Sequence, residues 1–409
     1  MKIATLLFTY NRSWHTEQVI EGLKHNTVLP QKLFIFQDGL CQGEDVCEWN
    51  HVNSLIQNID WCEKEIIVSE HNKGLADSII SGINYVFQEY DAIIVLEDDC
   101  VPTADFLNFM NQCLEKYRDM TKIYSVSGYA WPIELPEASE DIYFCGRMSS
   151  WGWGTWKERW NLYERDYTIL RKINKSPALT EELMIWGADL EKTLIYNLKG
   201  KCNSWAVFWA LLVIYNEGVC INPYQSLIRN IGHDGSGVHC GNTKKFIVQT
   251  DKRKNVSFNL PDNVQILDAT RKEYKVFSEN LMGKSLEERQ TYYRNCLERW
   301  IELKQQGKSI ASVLCEKNIC KVAIYGMGTI GELLIRELIG QIIISHVVVT
   351  YKYDDEFMGY PVYGCNDEMP EESKQLPLII IPGYDSGIIE QTIGKKFLNV
   401  YSLESLFVD

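Results

Sequence analysis

Three consecutive acids, Glu97, Asp98 and Asp99, follow the apolar run Ala92 to Leu96 and precede Cys100. A buried strand that ends in carboxylates presents oxygen ligands at the sheet edge where open α/β sheets bind their ligands. Such oxygens suit hard divalent cations, Mg2+ or Mn2+, which share them with the oxygens of a diphosphate. A cation held there would neutralise charge on a departing nucleotide. The plain alternative is a solvated acidic turn. Position at the end of the fourth strand-like run favours the cation site.

Polar clusters close the other three runs as well. Thr9-Tyr10-Asn11-Arg12 offers backbone donors and a cation to a nucleotide, and Gln37-Asp38-Gly39 offers an acid to a base or ribose. In His71-Asn72-Lys73-Gly74-Leu75, Lys73 stands at a helix start, a favourable place for an anion. Each cluster taken singly also reads as a helix cap, a turn or a surface charge. Four of them after strands of one sheet point to a single ligand site.

The elements that must position these residues alternate over the first 130 or so residues. Strands are expected at Ile3–Thr9, Leu33–Gln37, Ile66–Ser69, Ala92–Leu96 and Ile123–Ser127. Between them, Leu75, Ile79, Ile83, Val86 and Phe87 recur at helical spacing, as do Phe106, Leu107, Met110, Cys113, Leu114 and Tyr117. This is the pattern of a mostly parallel α/β sheet. From Trp131 to about Thr250 the sequence is irregular and Trp-rich, a loop-rich half of the kind that carries a second substrate's site. The expected division is 1–250 as one domain (halves 1–130 and 131–250), 251–317 as a linker with a helix at 285–306, and 318–409 as a small α/β domain. Strands of that last domain are expected at Val322–Tyr325, His346–Thr350, Leu378–Ile381 and Val400–Ser402. There is no internal repeat and no low-complexity tract.

At 409 residues with 45% apolar side chains, the chain has enough for two or three cores. A net charge of −14 argues against nucleic acid as the main partner, because phosphate neutralisation needs clustered Lys and Arg. The 13 cysteines are scattered without zinc-ribbon spacing and read as reduced thiols of a cytoplasmic protein. The apolar start Met1 to Phe8 runs straight into Thr9-Tyr10-Asn11-Arg12 and reads as a first strand rather than a signal peptide. The apolar stretch Ala206 to Tyr215 is far below the ~20 residues that span a bilayer. Peripheral membrane contact stays open.

The order of TYNR, FQDG, HNKGLA and LEDD resembles the nucleotide-sugar-binding half of GT-A glycosyltransferases. It is similar to bacterial family-2-like transferases of surface-polysaccharide synthesis and to N-acetylglucosaminyltransferases with an EDD motif. The stretches Ser150-Trp151-Gly152-Trp153-Gly154-Thr155-Trp156 and Asn230 to Gly237 extend the likeness over roughly residues 1–245. The resemblance implies a GT-A domain, a helical linker and a small Rossmann-like domain. It implies a metal-dependent, inverting hexosyl- or N-acetylhexosaminyltransferase; a cytoplasmic place is expected, with the inner face of the membrane left open. Its donor would be a UDP-sugar with Mn2+ or Mg2+, its acceptor a glycan or lipid-linked precursor, with homo-oligomer formation left open. Carried over residue by residue, Asp99 binds the metal, and Asp98 and Glu97 lie near the ribose and sugar. Thr9, Tyr10, Asn11, Arg12, Asp38 and Lys73 serve the nucleotide. Trp151-Gly152-Trp153 forms the loop where donor meets acceptor, which puts Trp153 at the reacting centre. The stretch from His233 to His239 closes over the diphosphate, with His239 either a further metal ligand or a surface histidine.

The likeness breaks at the general base. Relatives of this kind carry an acid just before a Ser-Trp pair, whereas this chain has Asn203-Ser204-Trp205. An amide cannot take the acceptor proton. Asp189 and Asp234 are the acidic substitutes nearest in sequence, each with a bland reading as a cap or solvated charge. A non-catalytic binder of nucleotide sugars is therefore one rival reading. The other is an NAD(P)-dependent oxidoreductase or epimerase working through Gly326-Met327-Gly328-Thr329-Ile330-Gly331, a GxGxxG turn between a strand and a helix. No Tyr/Lys or Cys catalytic pair accompanies that turn, and Thr350-Tyr351-Lys352 lacks an acid at the next strand's tip. NAD(P) is thus not the expected cofactor of the small domain.

Overall fold

The computed structural model describes the chain except residues 42, 137, 235–244, 283–285, 350–351, 353–354, 366, 383–388, 391–392 and 408–409. The chain divides into two compact units, Met1–Met282 and Gly283–Asp409. Residues 251–317, expected as a linker, contribute one helix to the first unit and two to the second. Both units are mixed α/β, the class expected from the sequence.

The first unit opens with β1 (Ile3–Thr9), α1 (Ser13–Lys24), β2 (Leu33–Gln37), α2 (Val46–Gln57), β3 (Lys64–Val68), α3 (Leu75–Val86) and β4 (Ala92–Glu97). It continues with β5 (Cys100–Pro102), α4 (Phe106–Lys116), β6 (Ile123–Ser127), β7 (Ile142–Cys145), β8 (Trp153–Trp156), α5 (Lys157–Trp160) and α6 (Ile169–Ile173). It ends with α7 (Pro177–Trp186), α8 (Leu190–Leu198), α9 (Ala206–Tyr215), β9 (Val219–Pro223), β10 (Ile228–Asn230) and α10 (Asp268–Met282).

The main sheet runs β3-β2-β1-β4-β8-β6-β9-β7, and β3, β2, β1 and β4 are mutually parallel. Strands covered on both faces need no polar alternation, which is why β1 and β4 read as unbroken apolar runs. Ala4, Leu6 and Phe8 of β1, with Ile93 and Val95 of β4, point to the face covered by α3 and α9. Ile3 and Leu7, with Ala92, Ile94 and Leu96, point to the face covered by α1 and α4. In register, Phe8 pairs with Glu97, Thr9 with Gln37, and Gln37 with Val68. The C-terminal tips of these strands therefore lie level along one edge, and their polar clusters share it.

The Trp-rich half supplies a strand where a loop is expected. β8 runs antiparallel between β4 and β6, with Val95 opposite Trp153 and Ile94 opposite Gly154. A Cβ on Gly154 would meet the Ile93 carbonyl at 2.6 Å, so only glycine allows this approach. Gly152, at φ +60°, turns the chain into the strand.

In the second unit, α11 (Leu286–Gln305) and α12 (Ile310–Glu316) precede β11 (Lys321–Tyr325), α13 (Thr329–Leu338) and β12 (Ile343–Val349). β13 (Glu356–Phe357), β14 (Tyr360–Gly364), β15 (Pro377–Ile380) and β16 (Asn399–Ser402) follow. The sheet order is β13-β14-β12-β11-β15-β16, parallel apart from the β13–β14 pair. Gly326 adopts φ +117° at the turn after β11, and a Cβ on Gly331 would meet the Gly326 carbonyl at 2.6 Å.

Candidate functional site

β4 delivers Glu97, Asp98 and Asp99 to the level edge, and the segment after the neighbouring β1 delivers Arg12 to the same place. The Arg12 guanidinium bridges two carboxylates: Nη2 and Nε donate to Asp98, the latter at 3.4 Å, and Nη2 donates to Asp99 Oδ2 at 2.9 Å. The side chains are 20%, 8% and 12% exposed, so this ion pair is held largely out of water. Breaking one arm of such a pair strands a buried charge, at a cost of several kcal/mol. Arg12 Nη1 is itself buried without a hydrogen-bond partner among the described residues.

Three acids lie around one guanidinium, and burial raises two of them. The Glu97 carboxyl is pushed up to about 8, by burial first and then by Asp99 and Asp98, against the pull of Arg12. Asp98 is raised too, because burial outweighs its bond to Arg12. Burial thus favours the neutral forms of Glu97 and Asp98, and Arg12 opposes it.

β10 lies against β5 and brings a second segment onto Asp99. Ile231 N–H donates to the Asp99 carbonyl at 2.9 Å, and Asn230 Nδ2 approaches Asp99 Oδ1 at 3.4 Å. A Cβ on Gly232 would fall 2.2 Å from Asp99 Oδ2. His233 follows, stacked on Phe246 at 5.0 Å and edge-on to Trp151 at 5.2 Å. Burial lowers its pKa against the opposing charge of Asp99, and neither ring nitrogen has a partner among the described residues. Asn230, Gly232 and His233 belong to the stretch singled out in the sequence; what spacing does not reveal is their contact with Asp99, more than 130 positions away.

The other expected residues fall in distinct places. Thr9 is buried, and its hydroxyl donates to the Phe36 carbonyl at 3.3 Å. Tyr10 and Asn11 both hold Glu44; the Tyr10 hydroxyl also accepts from Cys41 N–H at 3.0 Å, and burial raises its pKa. Asp38 accepts from the backbone N–H groups of Gly39, Lys73 and Gly74, each at 2.9 Å. Its carboxylate therefore ties the 71–74 loop to the tip of β2, and the Lys73 side chain is left exposed at the rim.

Two candidates take up other work, and one corrects an expectation. Trp153 is fully buried in β8, stacked on Trp205 at 5.0 Å and packed near Trp160 and Trp209. It is core, because the packed rings of Trp160, Trp205 and Trp209 leave it no exposed face for a substrate. Asp189 gives both oxygens to Arg147, at 2.9 and 3.0 Å, a fork that stabilises the start of α8. Asp234 lies 3.1 Å from His15 Nε2 with its side chain 45% exposed. His239 lies outside the described residues. Among the described residues all cysteines are free, and no helix is long and apolar enough to cross a membrane.

No family model matches the sequence, and no curated protein is similar to it. Among solved structures, S. aureus TarS 1-349 in complex with UDP-GlcNAc aligns at 11% identity and TM-score 0.32, over 58% of this chain and 61% of that one. The mannosyltransferase PcManGT from Pyrobaculum calidifontis, in complex with GDP-Man and Mn2+, aligns at 8% identity and TM-score 0.31, over 52% of this chain and 69% of that one. S. aureus TarS itself aligns at 11% identity and TM-score 0.25, over 34% of this chain and 24% of that one. The matched part thus spans about a quarter of TarS. Superpositions this loose leave the chemistry to be argued from the residues of this chain.

Proposed function

We propose that the first unit is a glycosyltransferase that moves a sugar from a nucleotide-sugar donor to an acceptor hydroxyl. The observation that carries the reading is the buried Arg12–Asp98–Asp99 cluster at the tip of a central parallel strand, pressed from the other side by Gly232. Its placement agrees with the resemblance of TYNR, FQDG, HNKGLA and LEDD to GT-A transferases, since all four motifs meet at one edge.

The donor set is compatible with a metal of limited demands. Among the described residues no three His, Cys, Asp or Glu side chains are arranged to hold an ion by themselves. Mg2+ and Mn2+ sites at phosphates commonly use one or two carboxylates and fill their other positions from the diphosphate and water. Asp99, with Asp98, fits that partial role, and the unpartnered Arg12 Nη1 suits a phosphate oxygen. A bound ion would neutralise charge on the leaving diphosphate.

The chain's own residues then divide the work. Arg12 fixes both carboxylates and supplies their counter-charge. Asp38 orders the 71–74 loop, so that Lys73 stands beside the nucleotide. Tyr10 and Asn11 clamp Glu44 and shape the nucleoside pocket, with Thr9 bracing β2. Glu97 lies beside Asp98 and Asp99 on the side of the ribose or sugar. His233 offers a ring nitrogen to the diphosphate, and His239 is a candidate further metal ligand. The finer assignment is a UDP-hexose or UDP-N-acetylhexosamine donor, inversion at the anomeric carbon, and a cytoplasmic role in bacterial surface-polysaccharide synthesis. The second unit is proposed as a Rossmann-like module for regulation or docking.

Asn203 favours one rival, a protein that binds the donor without turning it over. A nucleotide-release assay with UDP-, GDP- and dTDP-sugars, Mn2+ and mixed glycan acceptors separates the two. Release of one nucleoside diphosphate above the no-enzyme rate supports the transferase; donor binding with no release supports the binder.

A further inference from the structure

We infer that Asp77 is the general base of this transfer, held beside Asn203 by Arg165, an inference that rests on the transferase reading above. The expected base position is an amide, and the two acids nearest in sequence are engaged elsewhere, Asp189 by Arg147 and Asp234 by His15. The structure brings a different carboxylate to Asn203. Arg165 Nη2 donates to Asn203 Oδ1, and Nη1 donates to Asp77 Oδ1 at 3.1 Å. One guanidinium thus makes neighbours of the amide and of an acid more than 120 residues away in sequence.

The fold puts that acid on the right edge. Asp77 lies in the first turn of α3, directly after Lys73 and Gly74, whose N–H groups are tied to Asp38 at the tip of β2. The turn is therefore anchored at the C-terminal edge of the sheet that carries Asp98 and Asp99. Arg165 is braced in turn: its guanidinium lies 5.9 Å from the ring of Phe208 in α9, and nearby Tyr163 donates to the Trp205 carbonyl at 3.1 Å just before that helix. The carboxylate is 53% exposed, open to an arriving hydroxyl.

The step balances with no further reactant. The acceptor O–H bond breaks and its proton passes to an Asp77 carboxylate oxygen. The freed oxygen pair forms the bond to the anomeric carbon as the bond from that carbon to the diphosphate oxygen breaks, and the nucleoside diphosphate leaves with that pair. Water then takes the proton from the exposed acid.

The test uses the full chain, Mn2+ and UDP-N-acetylglucosamine beside other UDP-, GDP- and dTDP-sugars, reading donor Kd by calorimetry and kcat by nucleotide release. Asp77→Asn should leave Kd within about twofold and lower kcat by ~100-fold or more. Asp77→Glu should keep part of kcat, and Asp77→Asn combined with Asn203→Asp should recover at least about tenfold by returning an acid to the neighbouring position. Arg165→Met, which removes only the positioning group, should cost less kcat than Asp77→Asn. Asp77→Asn turning over at the wild-type rate overturns the inference. So does Arg165→Met matching the loss in Asp77→Asn, since Asp77 would then be only an anchor for Arg165. A wild type that binds and turns over no sugar nucleotide overturns the transferase reading itself, and this inference with it.

Discussion

Adding a single methyl group at Gly232 tests how tightly the segment after β10 holds the acidic cluster. An alanine Cβ would sit 2.2 Å from Asp99 Oδ2 and 2.8 Å from its Cγ, where ordinary contact begins near 3.4 Å. The segment and the carboxylate must therefore part by roughly 1 Å in a close-packed setting. Gly232 is not among the positive-φ glycines, so the penalty is steric and not conformational. Overpacking of this size costs about 1–3 kcal/mol. In a unit of this length each kcal/mol moves Tm by about 2–4 °C, so Gly232→Ala should melt ~2–12 °C lower. Turnover should suffer more, because about 1 Å of misplacement near a reacting centre costs on the order of 100-fold. Differential scanning calorimetry with nucleotide release from the preferred sugar nucleotide measures both. A variant with wild-type Tm and wild-type turnover would refute the claim that Gly232 presses on Asp99.

Arg12→Met should destabilise the first unit by about 3 kcal/mol in urea melts at pH 8, since it leaves two buried carboxylates without a counter-charge. Asp98 is already raised by burial and rises further in this variant, so the penalty should shrink toward pH 5; an equal penalty at both values would contradict the account. Within the GxGxxG turn, Gly331→Ala should cost about 1–3 kcal/mol from its 2.6 Å clash with the Gly326 carbonyl. Gly328→Ala, with nothing within 4 Å of its Cβ, should stay within about 0.5 kcal/mol of wild type, and the reverse order would be incompatible with this turn. In the second unit, burial pushes His346 down to about 4, so the folded state holds it neutral while the unfolded chain takes a proton. Stability of that unit should fall as pH drops from 6.5 toward 4, by up to about 3 kcal/mol, and a flat profile in urea melts would count against it.

Strands buried on both faces are legible from sequence to the residue: β1, β2 and β6 occupy the spans their apolar runs indicate. The edge strand β3 starts two residues earlier than expected, at Lys64, because its half-exposed positions carry a weaker pattern. β8 was not legible, since Trp153-Gly154-Thr155-Trp156 reads as a Gly-broken loop until Gly154 is seen against Ile93. At the site, the three acids are visible as a run, but their partner is set by how β1 and β4 lie side by side. Asp38 shows the limit of reading an acid by type. Its position was plain, whereas its use for three backbone N–H groups depends on where the 71–74 loop returns. The Arg165 bridge joins Asp77 to Asn203 through tertiary structure alone, and no spacing rule points to it.

Thermal shift with a sugar-nucleotide panel, with and without Mn2+, on wild type and Asp99→Ala, tests the central claim most directly. A ligand that binds only the folded chain raises its melting temperature, by an amount that grows with concentration over Kd. The account predicts that one sugar nucleotide stabilises wild type in the presence of Mn2+ and that Asp99→Ala, though folded, loses the effect. Stabilisation by NAD(P) alone, independent of metal and of Asp99, would contradict it and move the ligand site to the second unit.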